Sequence, residues 1–433
     1  MPAMGSHPIR LVVRDDLRRS RLTVFFRLLL LIPHFVWFFL WSLAAFIVAI
    51  VNWFATLVLG RPARPLWRFL AAFLRYGTHV YAYALLAANP FPGFTGTAGT
   101  YPIDLEIGPP ARQSRWKTAF RLLLAIPALW LAGLLLVTIG SGYAYDEQTD
   151  EAYAFVYIWG VSAAVAFLAW FASLVRGRMP TGFRDLLAFT LRFGAQTWGY
   201  LLLVTDRYPD ADPSEPAATQ PTPAKPIRLR VEGDLARSRL TVFFRLLLAI
   251  PHLVWLFLWG VVVYVALVVG WLATLVMGRL PSALHRFFAA YLRYQTHVLA
   301  FVTLVGNPFP GFTGLAGSYP VDVEIDPPAR QSRWKTLFRL LLVIPAHLLS
   351  AALWSPLFLV AVFGWFVGLF LGRMPAGLRS LGAFVLRYWA QTYGYVYLLT
   401  DSYPYSGPTE YVEPEVELEP VPTWPDAPPE PSF

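Results

Sequence analysis

The chain has 433 residues, no cysteine and a formal net charge of +9. It is 57% hydrophobic, 16% aromatic and 14% charged, where soluble domains carry about 25% charged residues. Disulfides, thiolate metal sites and Cys nucleophiles are therefore excluded, and an ordinary soluble domain does not fit.

The first structured element is a short alternating segment, Ile9–Val13, which reads as a half-buried strand. Equivalent segments stand at Ile103–Ile107, Ile227–Val231 and Val321–Ile325. Isolated five-residue strands are unstable, so the four should pair into one small sheet on the cytoplasmic side. The first apolar run, Arg21–Gly60, follows. It has no charged side chain between Arg27 and Arg61, carries Pro33, and closes on Gly60-Arg61. The design recurs at Arg115–Gly177, Arg239–Gly278 and Arg333–Gly372. Each run has a second Arg six residues in (Arg27, Arg121, Arg245, Arg339), then Pro, and ends on Gly-Arg.

A run of about 36 residues would extend roughly 54 Å as one helix, against a hydrocarbon core of roughly 30 Å. Two shorter helices joined by a turn would fit. The second run supports this: its Pro and closing Gly stand 50 positions apart, against 27 in the other three. The extra residues include Gly140-Ser141-Gly142 and the acidic Asp146, Glu147, Asp150 and Glu151. Polar backbone and charge are costly inside lipid but harmless at a loop tip. The sequence thus predicts a mainly α, polytopic membrane protein of four helical hairpins, with eight spanning helices. The alternative is one long, tilted, Pro-kinked helix per run, with the second run the exception.

After each run comes a helix with a narrow polar stripe: Leu66–Leu86, Leu186–Leu203, Leu284–Leu304 and Leu378–Leu399. Each stripe pairs an Arg with a polar residue four positions on: Arg75 with His79, Arg192 with Gln196, Arg293 with His297, Arg387 with Gln391. Such helices suit the membrane interface or a position packed over the hairpins. If they crossed instead, equivalent Arg-rich openings would land on both sides, against the positive-inside rule. That rule puts both termini in the cytoplasm. The chain repeats at an offset of 218, giving two halves of two units. The halves are 1–208 (units 8–100 and 101–208) and 227–405 (units 227–318 and 319–405). A Pro-rich linker spans 209–226. Residues 406–433 form an acidic, Pro-rich tail expected to be disordered and solubilising, with a protein-binding role as the lesser reading.

The eight arginines Arg27, Arg75, Arg121, Arg192, Arg245, Arg293, Arg339 and Arg387 are the candidate contacts for lipid headgroups. The plainer reading of the run arginines is snorkelling, with pairing to Asp104, Glu106, Asp322 and Glu324. His79 and His297 align with Gln196 and Gln391, so a shared hydrogen-bonding role explains them better than metal or acid–base chemistry. His34 and His252 follow the kinking prolines and are expected to satisfy carbonyls freed there. The two NPFPGF turns, at Asn89–Phe94 and Asn307–Phe312, read as structural caps. No catalytic, cofactor or metal constellation is visible, no motif points to nucleic acid, and no carboxylate lies inside an apolar run.

The pattern Arg-x-x-x-x-Phe-Arg-Leu-Leu-Leu-x-Ile-Pro, then Gly-Arg, then a close on Thr-Asp-x-Tyr-Pro (Thr205–Pro209, Thr400–Pro404) resembles the bacterial membrane family called domain of unknown function 4389, in tandem copies over most of 8–405. The first and third units depart by closing on NPFPGF. The resemblance implies a bacterial inner-membrane protein and brings no activity or active-site residues. The expected function is a non-enzymatic scaffold or lipid-interacting assembly, with membrane lipids as partners. A transporter or channel built from the two halves is the alternative.

Overall fold

A computed structural model of the protein describes residues 7–136, 138–146, 151–214 and 224–408, with 138–159 described by backbone alone. The acidic loop tip at 147–150, the linker centre at 215–223 and the tail at 409–433 lie outside the described residues. The first unit contains β1 (Ile9–Val13), α1 (Arg21–Phe25), α2 (Arg27–Leu30), α3 (Ile32–Leu59) and α4 (Arg64–Ala84). The second contains β2 (Ile103–Ile107), α5 (Arg115–Ala119), α6 (Arg121–Leu135), β3 (Thr138–Asp146), β4 (Glu151–Trp159), α7 (Val161–Arg176) and α8 (Thr181–Leu201). The third contains β5 (Ile227–Val231), α9 (Arg239–Met277) and α10 (Ser282–Val302). The fourth contains β6 (Val321–Ile325), α11 (Arg333–Leu337), α12 (Arg339–Leu342), α13 (Ile344–Leu371) and α14 (Ala376–Val396).

The four strands fall where alternation placed them, but they do not form one sheet. β1 pairs antiparallel with β2 (Ile9 opposite Ile107), and β5 pairs the same way with β6 (Ile227 opposite Ile325). Each two-stranded ribbon lies on the striped helices of its own half, β1 on α8 and β2 on α4, β5 on α14 and β6 on α10. Packing on helices gives a ribbon the support that further strands would otherwise supply.

The hairpin expectation also needs correction. Runs one, three and four are not folded back on themselves. α9 is one helix of 39 residues through Pro251, and α3 and α13 are each helices of 28 residues. Ser42, Gly260 and Pro356, residues of the types that favour turns, are all helical. In an apolar setting every unpaired backbone group is expensive, so the helical ladder persists unless a polar insertion provides an exit. The second run has that insertion. Its helix is interrupted between α6 and α7, where the antiparallel β3–β4 ribbon emerges. The Ser162 hydroxyl donates to the Leu135 carbonyl at 2.9 Å, so α7 starts where α6 stops. The chain returns through the following striped helix: α3 packs on α4, α9 on α10, α13 on α14, and both α6 and α7 on α8.

Three layers result. α3 and α9 each bury one narrow stripe, in α9 Val242, Arg245, Ala249, His252, Gly260, Val263, Gly270 and Thr274, while α13, packed against α6, α7, α9 and α14, buries a broader face. Their remaining faces are exposed and apolar, including Phe35, Phe39, Phe46, Phe54, Phe257 and Tyr264. The striped helices α4, α8, α10 and α14 form the middle layer, and the ribbons lie on its far side. Three helical spans, 27–59, 239–277 and 339–371, are long and apolar enough to cross a membrane.

Candidate functional site: arginine caps and an apolar helix layer

The six-residue Arg spacing places one guanidinium per run beneath the C-terminus of the striped helix beside it. Arg27 donates to the carbonyls of Tyr83 (2.5 Å) and Ala88 (2.9 Å), Arg121 to Tyr200 (2.7 Å) and Thr205 (2.8 Å). Arg245 does the same for Phe301 and Gly306, and Arg339 for Tyr395 and Thr400. Each guanidinium also lies over the aromatic ring of that first acceptor residue, at 4.3–4.4 Å from its centre. A helix C-terminus carries unpaired carbonyls and about half a negative charge, so a buried cation there is stabilised. The next residues turn through a left-handed leucine, Leu86, Leu203, Leu304 or Leu398, at φ of 61–65°. That conformation costs a β-carbon-bearing residue roughly 1–2 kcal/mol, which the charge-assisted bonds offset.

The other four arginines also serve the backbone. Arg75 donates to Leu105 O at 3.1 Å and Arg293 to Val323 O at 3.0 Å, both half-buried. Arg192 donates to Asp212 O and Arg387 to Gly407 O, both buried. All eight candidate headgroup contacts thus point at carbonyls of this chain.

His79 donates from Nε2 to Asp104 at 2.8 Å, stacked on Tyr101, and His297 binds Asp322 identically against Tyr319. Burial pushes the Asp104 and Asp322 carboxyls up, but His79 or His297 and the N–H groups of Gly99 or Gly317 outweigh it and hold both below the ordinary value. At the aligned positions Gln196 donates to Ile9 O and Gln391 to Ile227 O, each at 3.0 Å. Both residue types therefore tie a ribbon strand to a striped helix. His34 and His252 do not serve carbonyls freed by proline. Their Nδ1 atoms meet the hydroxyls of Tyr76 (2.9 Å) and Tyr294 (2.7 Å), while the NPFPGF phenylalanines stack on their rings. A rigid ring beside the proline reaches a hydroxyl on the facing helix more readily than a carbonyl on its own.

Sequence reasoning missed Gln113 and Gln331. Each accepts from its run arginine (Arg121 at 2.9 Å, Arg339 at 2.8 Å) and donates to the left-handed leucine's carbonyl. The exact repetition of Ala-Arg-Gln-Ser-Arg-Trp-Lys was the available signal. The buried pair Arg19–Asp15, at 2.8 Å, was missed as well.

The outer edges of the long-helix layer are basic at both ends. The start of each run bonds the end of a neighbouring one: Arg19 N to Gly177 O, Gln113 N to Gly60 O, Arg237 N to Gly372 O and Gln331 N to Gly278 O, all 2.8–3.0 Å. Exposed arginines and lysines gather at these junctions, among them Arg21, Arg61, Lys117, Arg178, Arg279 and Lys335, beside exposed Trp116 and Trp334. Opposite this layer, Arg10–Glu106 (2.7 Å) and Arg228–Asp326 (2.9 Å) are ion pairs with both side chains about half exposed.

Three segments, 21–95, 239–313 and 333–406, match the family described as Domain of unknown function (DUF4389). The protein belongs to this DUF4389 family. No curated protein and no solved structure matches it. The matched segments run from the opening Arg of a unit past its left-handed leucine, so each contains a complete arginine cap. The second unit, with its interrupted run, falls outside them, although Arg121 makes the same cap.

Proposed function

We propose that this DUF4389 protein is a non-enzymatic, lipid-interacting scaffold of a bacterial inner membrane. Its long helices lie along the membrane, immersed from the cytoplasmic side, and its ribbons and termini stay in the cytoplasm. The observation that carries this reading is the position of charge. A 39-residue helix is roughly 58 Å long, and crossing a core of roughly 30 Å would need a tilt well beyond the usual 0–40°. Crossing would also put the basic junctions on both sides of the membrane, against the positive-inside rule. The exposed ion pairs of the ribbons, seated against Arg75, His79 and Gln196 well inside the striped helices, would then lie at hydrocarbon depth. With the helices in the plane, the same groups are in water, and the Arg, Lys and Trp residues ring an apolar surface.

Vesicle flotation and labelling test it on this Cys-free chain. Flotation should be tighter on anionic phosphatidylglycerol vesicles than on zwitterionic phosphatidylcholine. Ser20→Cys and Arg61→Cys, at opposite ends of the first run, should both react with an impermeant maleimide from the same side. Labelling from opposite sides would overturn the in-plane seat. It would favour a multi-pass transporter or channel, a reading supported by the three helices long enough to cross.

A further inference from the structure

The two halves repeat each other residue for residue over long stretches, yet they differ where the striped helices of their two units face the long-helix layer. Among the described residues, a cavity of ≈ 450 Å³ opens between α3, α4, α6 and α8. Gly77, Gly133 and Gly194 form part of its wall, and Phe46, Tyr81 and Trp198, all more than two-fifths exposed, stand in its lining. In the second half three of the aligned positions are larger. Gln295 stands for Gly77, Trp389 for Gly194 and Tyr397 for Leu202. Those three fill the space: the Tyr397 hydroxyl donates to Gln295 at 3.1 Å, and Trp389 lies on Tyr393 with ring centres 4.5 Å apart.

The lining contains no charged residue. Its Ser42 and Thr78 hydroxyls donate to Phe39 O and Leu74 O of their own helices, so neither has a proton to offer a ligand. With most of the lining apolar, a largely apolar occupant fits best. A cavity of about 150 Å³ accommodates benzene, and this one is three times larger, with room for roughly eighteen carbons by that ratio. Phe46 belongs at once to the cavity and to the exposed face of α3, so the hollow is continuous with the apolar layer. Tyr81 and Trp198 supply the amphipathic rings that favour the boundary between chain and headgroup. We infer that the first half holds one acyl chain of a membrane phospholipid in this cavity, while the second half carries its own side chains there. This rests on the membrane-immersed reading above.

The test uses the full chain on phosphatidylglycerol vesicles doped with a phospholipid bearing a diazirine on one acyl chain. After irradiation, adducts should map to peptides containing Phe46, Gly77 and Trp198, not to their second-half counterparts. Gly77→Gln with Gly194→Trp copies the filled half and should cut those adducts about tenfold or more, with flotation unchanged. A built β-carbon at Gly194 meets only the movable end of Leu136, at 2.7 Å. If that pair misfolds, Leu202→Tyr fills the same space singly. Equal adducts in filled and unfilled proteins, or equal adducts in both halves, overturn the inference. Flotation without cavity adducts refutes this inference alone, and failure to float refutes the membrane reading beneath it.

Discussion

Replacing Arg245 with Met separates a cap from a headgroup contact. Met preserves much of the apolar stem but removes the donors to Phe301 O, Gly306 O and Asn307 Oδ1. The Gly306 carbonyl left without a donor costs about 1–3 kcal/mol, and the Phe301 carbonyl, still held by the Leu304 amide, loses a charge-assisted bond of about 1.5–3 kcal/mol. The same C-terminus also loses a buried cation at its negative end, up to ~2 kcal/mol. Against this, a guanidinium only 1% exposed no longer has to be desolvated. The balance is a loss of about 3 kcal/mol, or roughly 150-fold in the local opening equilibrium. The amides of Leu304 and Gly306 close the turn on Phe301 O and Ala300 O at 3.1 and 2.9 Å, so they report on it directly. Hydrogen exchange in vesicles should accelerate by about two orders of magnitude across Leu299–Asn307, with flotation on anionic vesicles retained. Unchanged exchange together with lost flotation would mean that Arg245 reaches lipid phosphate instead, and the cap argument would fail.

Gly96→Ala and Gly314→Ala should be among the most damaging small substitutions. A β-carbon would sit 2.1 Å from Ala72 O or 2.0 Å from Ala290 O, at φ near +60°, and folded yield and unfolding midpoint should both fall. The ribbon clamps should weaken in acid. Asp104 and Asp322 titrate below their ordinary value when folded, so their contribution is complete above the usual carboxylate range and disappears as pH falls through the depressed values. The gap in unfolding midpoint between the wild type and the Asp104→Asn/Asp322→Asn pair should be level above about pH 5 and close below it. A gap that widens in acid would contradict the sign.

The strands and the Gly-Arg helix ends were legible because each depends on local pattern: period-two alternation, and a left-handed glycine at Gly60, Gly177, Gly278 and Gly372. The arginine regularity was equally visible, but its purpose was not, because the acceptors are remote. Arg27, Arg245 and Arg339 each reach the carbonyl 56 residues on, and Arg121 reaches 79. The difference, 79 − 56 = 23, is the length of the second-run insertion, so the spacing held the answer for a reader who knew to pair helix starts with helix ends. The hairpin reading went astray by generalising from that insertion. A polar loop shows where a helix is able to break; it does not show that uninterrupted copies break there too. The separation of the ribbons was hidden for another reason: nothing in an alternating pentapeptide says which neighbours it will meet.

The segments that close the two halves are exchanged. Beyond α8, Asp210 and Asp212 run over Gly377, where a β-carbon would come within 2.8 Å of Asp210; beyond α14, Ser406 and Gly407 run over Gly182 just as tightly. Each half thus finishes the opening turn of the other's last helix, as swapped arms do in a pair of identical subunits. Cutting the Pro-rich connection would yield two fragments, each missing a piece that only its counterpart carries. The tether shortens their search for one another, but their mutual fit is written into those crossing ends.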